Sequence, residues 1–211
     1  MHDLAHGLAR FRREVFPAKA ELFARLAAVH RPTTLFIGCS DARVVPELIT
    51  QSEPGELFVI RTPGNLVPAH SPGVDGIAAG VEYAVAVLGV SDIVVCGHSA
   101  CGAMTALAEK HDLSGAPATA DWLRHADTSR ALAATGTGTG TAAAEDPVGV
   151  LVRQNVLAQL TNLTTHPSVA RALANASVTL HGWVFDIPSG TVEPLDRAGR
   201  PHLSQNEGIP S

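Results

Sequence analysis

The sequence predicts an α/β fold, a central and mostly parallel β-sheet flanked by helices, with an N-terminal helical arm. Three observations predict it. Short β-branched apolar runs alternate with segments of helical periodicity, the order that gives parallel strands joined by helical crossovers. One run, residues 92–97 (DIVVCG), is apolar at successive positions, as a strand covered on both faces should be. Two chemically rich stretches, residues 39–43 (CSDAR) and 97–102 (GHSACG), each follow a predicted strand, where such sheets bind ligands. The 211 residues, 45% hydrophobic and 17% charged, suit a single domain spanning residues 1–211 with a real core.

Each element has its own signal. Residues 4–16 and 19–29 carry apolar side chains at helical spacing (Leu4, Leu8, Phe11, Val15; Leu22, Phe23, Leu26, Val29), and Pro17 separates them, so two helices are expected. Residues 33–38 form the first strand. The Pro54-Gly55 turn leads into the second, residues 56–61. Residues 76–88, rich in Ala and Val, read as a helix, 92–97 as the third strand and 100–110 as a helix. Residues 121–133, with Trp122, Leu123 and Leu132, give another. The Gly/Thr/Ala tract across 133–146 buries too little apolar surface to offset its ordering entropy, and a flexible surface loop is expected there. Residues 147–163 place Val148, Leu151, Val152, Val156, Leu160 and Leu163 on one side of a helix. A short helix over 168–175, a fourth strand over 178–187 and a turn-rich, polar tail complete the chain.

Composition narrows the function classes. The formal net charge is −5 and no basic block or stripe appears, which argues against nucleic acid or an anionic membrane as partner. No stretch reaches the ~20 apolar residues of a membrane span. The N-terminus is amphipathic and charged rather than a secretory signal, so a cytoplasmic protein is expected. Three cysteines (Cys39, Cys96, Cys101) are too few and odd for a disulfide framework and point to metal binding, catalysis or core packing.

Cys39, His98 and Cys101 form a Cys2His set. Zinc takes thiolate sulfur and imidazole nitrogen in tetrahedral geometry, and three protein ligands leave a fourth position open, the mark of a catalytic site. His98-x-x-Cys101 spans a strand-to-helix turn, so both side chains can face one ion. Cys101 opens a helix, where free N–H groups and the dipole favour a thiolate. Cys96, inside IVVCG, reads as a core thiol. Cys96 and His98 nevertheless alternate onto one strand face, so Cys96 stands as the rival ligand to Cys101. Zinc lowers the pKa of bound water from ~15.7 towards ~7. Two thiolates oppose that effect, so an acceptor that orients the ionised water helps. Asp41 suits the task if it is ionised, and Arg43 can fix it with paired N–H donors. An Asp41 turned onto the metal would fill the open position, so the same residues allow an active and an inactive state. His181 reads as a structural histidine rather than a proton shuttle. Asp75 and Glu82 read as solvated or capping charges, and Trp122, Trp183 and the phenylalanines as core or subunit contacts.

CSDAR followed by HSACG resembles the β-class carbonic anhydrases, whose pattern is C-[SA]-D-S-R and H-x-x-C-G. PGELFVIRTPGNLV is similar to that family's PGELFVHRNxAN, and DWLRHA, QNVLAQLTNL and LHGWVFDI look like family segments. The resemblance implies that Cys39, His98 and Cys101 hold Zn2+ and that Asp41 and Arg43 form the catalytic dyad. It implies reversible hydration of CO2 to bicarbonate and a proton. It also implies a homodimer or tetramer, with residues 1–30 as a dimerisation arm. The sequence departs from the pattern at Ala42, where Ser is usual, and at Thr62-Pro63-Gly64-Asn65. Some bacterial members carry a bicarbonate-binding inhibitory site of Trp, Arg and Tyr. The matching positions are Phe36, Arg61 and Phe185, which keep the charge and lose both aromatic hydrogen-bond donors. Three rival readings stand beside this one. A carbonyl sulfide or carbon disulfide hydrolase would share the zinc site. A zinc- or bicarbonate-binding protein without turnover would have no need of Asp41 and Arg43. A redox pair of Cys96 and Cys101 would lack C-x-x-C spacing.

Overall fold

The computed structural model describes residues 3–135 and 146–195, in two units that divide after Arg31. The first is helical. The Asp3 carboxylate caps α1 (Leu4–Arg10), accepting from the Ala5 N–H at 3.0 Å. The chain then runs through a wide π turn, Phe11–Val15, into α2 (Phe16–Ala28). The break expected at Pro17 does not occur. Pro17 lies in the first turn of α2, where a missing N–H is least costly, and the loosened turn ahead of it keeps the rod continuous. Phe11, Phe16 and Phe23 cluster with ring centroids 5.6 to 6.2 Å apart, while Leu4 and Leu8 stand exposed.

The second unit is built on a five-stranded sheet in the order β2-β1-β3-β4-β5. The strands are β1 (Thr34–Cys39), β2 (Leu57–Thr62), β3 (Asp92–His98), β4 (Thr179–Phe185) and β5 (Val192–Leu195). β1 pairs in parallel with both β2 and β3, and β3 with β4, whereas β4 pairs antiparallel with β5. The four expected strands are therefore present within a residue or two. β5 falls in what reads as a polar tail. Its Pro194 cannot donate to a ladder, and an edge strand is where that is tolerated.

Helices flank the sheet. After β1 comes α3 (Pro46–Thr50), too short to carry a period. α4 (Gly76–Glu82) passes into a π turn, Tyr83–Leu88, and Asp75 caps it by accepting from the Ile77 N–H at 2.9 Å. α5 (Gly102–Ala108) is shorter than expected at both ends. The single helix expected over 121–133 is two, α6 (Pro117–Leu123) and α7 (Asp127–Ala134), joined by the tight turn Arg124–Ala126. α8 (Pro147–Thr164), capped by Asp146, and α9 (Pro167–Ala174) follow. Of the loop expected over 133–146, residues 136–145 lie outside the described residues.

α8 lies close against β3 and β4. A Cβ at Gly97 would stand 2.9 Å from Val156 and 3.0 Å from Val152, and one at Gly182 would stand 3.0 Å from Leu160 and Val156. The two glycines thus set the helix-to-sheet distance. One sheet face carries the main core, including Leu35, Ile37, Ile93 and Val95 with Val152 and Val156 of α8. The other carries a smaller cluster of Phe36, Val94 and Cys96 with Trp183 and Phe185 at its edge. At the carboxyl ends of the adjacent strands β1 and β3, Cys39 and His98 finish side by side.

Candidate metal centre

Cys39 is the last residue of β1, His98 is the last of β3, and Cys101 is the N-cap of α5. The chain must reverse between His98 and Cys101 in two residues. It does so with Ala100 in the left-handed region, at φ 52°, a conformation that costs an alanine roughly 1 kcal/mol. Neighbours hold the turn. The Ser99 N–H donates to the Phe185 carbonyl at 2.9 Å, the Ser99 hydroxyl accepts from the Ile187 N–H at 2.9 Å, and an Arg43 N–H donates to the Ala100 carbonyl at 3.0 Å.

One donor atom from each of Cys39, His98 and Cys101 lies within 4.8 Å of the other two, and all three residues are buried. His98 is oriented for ligation. Its Nδ1 is 2.9 Å from the Ser99 carbonyl, which can only accept, so Nδ1 carries the hydrogen. Nε2 is thereby left with its lone pair, buried and without a hydrogen-bond partner. An orphaned imidazole nitrogen aimed at two thiols fits a zinc ion, whose ligand preference is this donor set. Cys96 is outside the group. It packs in the cluster on the opposite face, and burial pushes its thiol up to about 12.

The two thiols, Cys39 and Cys101, divide one charge between them. The hydrogen bond from Cys101 holds the Cys39 thiol far below its ordinary value. Burial opposes this, and the backbone N–H groups of Asp41 and Gly64 reinforce it. Cys101 is pushed up by the same bond, by burial and by the Cys39 charge. The helix N-terminus favours a thiolate at Cys101, as expected, but its neighbour outweighs it. The Gly64 N–H donates to the Cys39 sulfur at 3.4 Å.

Asp41 rests on Arg43. Its Oδ1 accepts from the Arg43 backbone N–H and from Nε, both at 2.9 Å, and its Oδ2 accepts from Nη2 at 2.6 Å. This guanidinium holds the Asp41 carboxyl well below the usual carboxylate range. Oδ2 also lies 3.9 Å from His98 Nε2, so it borders the ligand group.

The comparisons with known proteins agree with this geometry. A family profile described as carbonic anhydrase matches residues 34–192. The chain belongs to the carbonic anhydrase family. It is 55% identical over 207 residues to a carbonic anhydrase of Pseudomonas aeruginosa, covering 98% of this chain and 93% of that one. Among solved structures it resembles the β-carbonic anhydrase CcaA (TM-score 0.85, 41% identity, 92% of this chain and 93% of that one). It also resembles tetrameric β-carbonic anhydrases of the ascomycete Sordaria macrospora (TM-score 0.77, 33% identity, 91% and 94%). The chain is a β-class carbonic anhydrase in fold, with the mostly parallel sheet, flanking helices and N-terminal helices of that class.

For a β-carbonic anhydrase, the positions matched to an inhibitory bicarbonate site are informative. Phe36 is fully buried, with its ring edge-on to Trp183 at 6.3 Å, and Phe185 flanks the same cluster. Arg61 turns to the backbone. Its Nε donates to the Cys39 carbonyl at 3.0 Å, and one terminal nitrogen donates to the carbonyls of Asp41 at 2.5 Å and Val44 at 2.6 Å. The structure thus places this charge as a brace for the loop carrying Cys39 and Asp41. The brace and the Gly64 donor are both absent from the sequence reading. A cation in the last two residues of a strand was the available signal for the first. A backbone N–H leaves none for the second. His181 sits 2.8 Å from Asp92 Oδ1, the paired state of a structural histidine.

Proposed function

We propose that the chain is a zinc-dependent enzyme that reversibly hydrates CO2 to bicarbonate and a proton. The observation that carries this reading is the juxtaposition of three buried ligand atoms with a carboxylate held ionised at their border. Cys39, His98 and Cys101 would hold the metal, and its binding would displace the proton the two thiols share. When bound, zinc supplies the Lewis acidity that brings water's ionisation into the neutral range.

The remaining work belongs to Asp41 and Arg43. Asp41 Oδ1 is committed to two Arg43 donors, and Oδ2 keeps capacity for one more hydrogen bond on the side facing His98. Being ionised, it can only accept, so it takes the O–H of an incoming water and turns the oxygen lone pairs away, towards CO2. A C–O bond forms, a π pair moves onto a CO2 oxygen, and one water proton leaves for solvent. Arg43 keeps Asp41 from turning inward, and through Ala100 it ties that orientation to the turn that sets the His98–Cys101 spacing.

The same proposal covers assembly and location. The exposed Leu4 and Leu8 of α1 fit a homodimer or tetramer formed through the N-terminal arm of residues 1–30. The three free cysteines fit the reducing cytoplasm. Among the described residues no helix is long and apolar enough to cross a membrane.

The test is zinc content measured alongside stopped-flow CO2 hydration from about pH 6.5 to 9, spanning the expected ionisation. One zinc per chain and rates rising with pH are expected. Zinc without CO2 turnover sinks the reading. Turnover of carbonyl sulfide in its place would move the assignment to a sulfur-substrate hydrolase.

A further inference from the structure

Three of the segments that resemble the family, DWLRHA, QNVLAQLTNL and RTPGNLV, supply neither a metal ligand nor a member of the Asp41–Arg43 pair. They nevertheless meet at one stretch of backbone. Trp122 Nε1 donates to the Pro63 carbonyl at 2.9 Å, Asn155 Nδ2 to the Gly64 carbonyl at 2.9 Å, and Asn162 Nδ2 to the Val67 carbonyl at 2.8 Å. The Val67 N–H donates to Gln159 Oε1 at 2.9 Å.

These bonds form a chain with one possible direction. A backbone N–H can only donate, so Val67 fixes Gln159 Oε1 as acceptor and leaves the Gln159 NH2 facing Asn155. That NH2 donates to Asn155 Oδ1 at 2.9 Å, and the Ser129 hydroxyl donates to the same oxygen at 3.2 Å. With Oδ1 doubly filled, Asn155 must present its NH2 to the Gly64 carbonyl. The other end of the Gly64 residue, its N–H, is the donor on the Cys39 sulfur. Ser129, Asn155 and Gln159 are each 0% exposed, so no solvent competes for these bonds. Gly64 holds φ 74°, in the left-handed region, with Met104 and Ala103 close around where a Cβ would stand.

We propose that Asn155 is a positioning residue for the metal centre, holding the Gly64 carbonyl so that the Gly64 N–H stays on the Cys39 sulfur. The proposal rests on Cys39 being a zinc ligand and goes beyond it. An N–H on a ligand sulfur fixes the side chain's rotamer and draws charge from it, and losing such an outer partner typically weakens metal affinity about 10- to 100-fold. The three segments thus act on the metal without touching it.

The experiment measures zinc affinity by competition with a coloured chelator. It adds the sulfur-to-metal absorption of the cobalt(II)-substituted chain, which reports on the ligand sulfurs directly. Asn155→Leu, near in volume but without the amide, is expected to bind zinc about tenfold more weakly and to shift the cobalt absorption. Trp122→Phe, which removes the donor on the Pro63 carbonyl in the same peptide plane as the Gly64 N–H, should move both readouts the same way. Val169→Ala, a core change in α9, should lower the thermal midpoint and leave both readouts at parent values. Parent affinity and absorption in folded Asn155→Leu overturn the proposal. So do parent values in Trp122→Phe, should Asn155→Leu fail to fold. A parent chain that takes up neither metal overturns the ligand reading itself, and this proposal falls with it.

Discussion

The end of β1 and the middle of β3 each carry a buried cysteine, one strand apart, and the two thiols have opposite characters. Cys96 is fully buried among Phe36 and Val94, and its thiol donates weakly to the Gly97 carbonyl at 3.4 Å. Desolvation pushes it up to about 12. Cys39 is almost as buried, yet its thiol is driven the other way by a neighbouring S–H and two backbone N–H groups. Burial alone therefore does not make a thiol inert. What separates the two is the supply of donors, and donors converge where strands end and backbone N–H groups are released from the ladder.

The sharpest way to break this comparison is to delete each thiol. Cys101→Ala should leave the chain without zinc by elemental analysis, while Cys96→Ala should keep one zinc per chain and cost about 1 kcal/mol in denaturant unfolding. The reverse pattern would mean that β3, not the α5 cap, supplies the second sulfur. Next in size is the carboxylate that borders the ligand end. Asp41→Asn should retain zinc while CO2 hydration falls about 100-fold or more. Full activity in stopped flow would remove Asp41 from the chemistry. A smaller effect tests what keeps the end of β1 in place. Arg61→Met frees the carbonyls of Cys39, Asp41 and Val44 and should lower unfolding stability by about 1–3 kcal/mol. An unchanged unfolding curve would show that the loop holds itself.

The last test is a pH dependence at Cys96, which is nil below pH ~9. Its folded-state value is raised, so the neutral thiol is the form the fold accepts. Below an ordinary thiol value near 9, folded and unfolded chains both carry the proton and nothing changes. Above it the unfolded chain ionises first, and the fold loses up to about 1.4 kcal/mol per pH unit until about pH 12. The parent should therefore lose stability relative to Cys96→Ala as pH rises from ~9. Parallel pH profiles would mean that the thiol is not desolvated as described.

Four strands and the long helix α8 were legible because their apolar runs are long and periodic. α3 and β5 were not. Five residues hold barely more than one helical turn, and VEPL contains the proline that argues against a strand unless it lies at an edge. The α6–α7 break was hidden because Leu123, Ala126 and Leu132 keep an apolar spacing across the intervening tight turn. At the candidate site, the grouping of Cys39, His98 and Cys101 and the pairing of Asp41 with Arg43 could be read because they involve side chains at motif spacing. The Gly64 N–H could not, since every residue but proline has that group and only the fold decides where it points. The bracing role of Arg61 could not be read, because sequence shows a charge but not which carbonyls lie within its reach.

Placing β1 between β2 and β3 has a consequence for how the chain folds. Cys39 and His98 become neighbours only when two parallel strands, far apart in sequence and joined through β2 and α4, close against each other. Such non-local pairing is the slow part of assembling a parallel sheet, because the loop-closure entropy is spent before the contacts form. The site would thus serve as a clock for the fold: a refolding chain could offer a metal both strand-end side chains no sooner than its central strands have met.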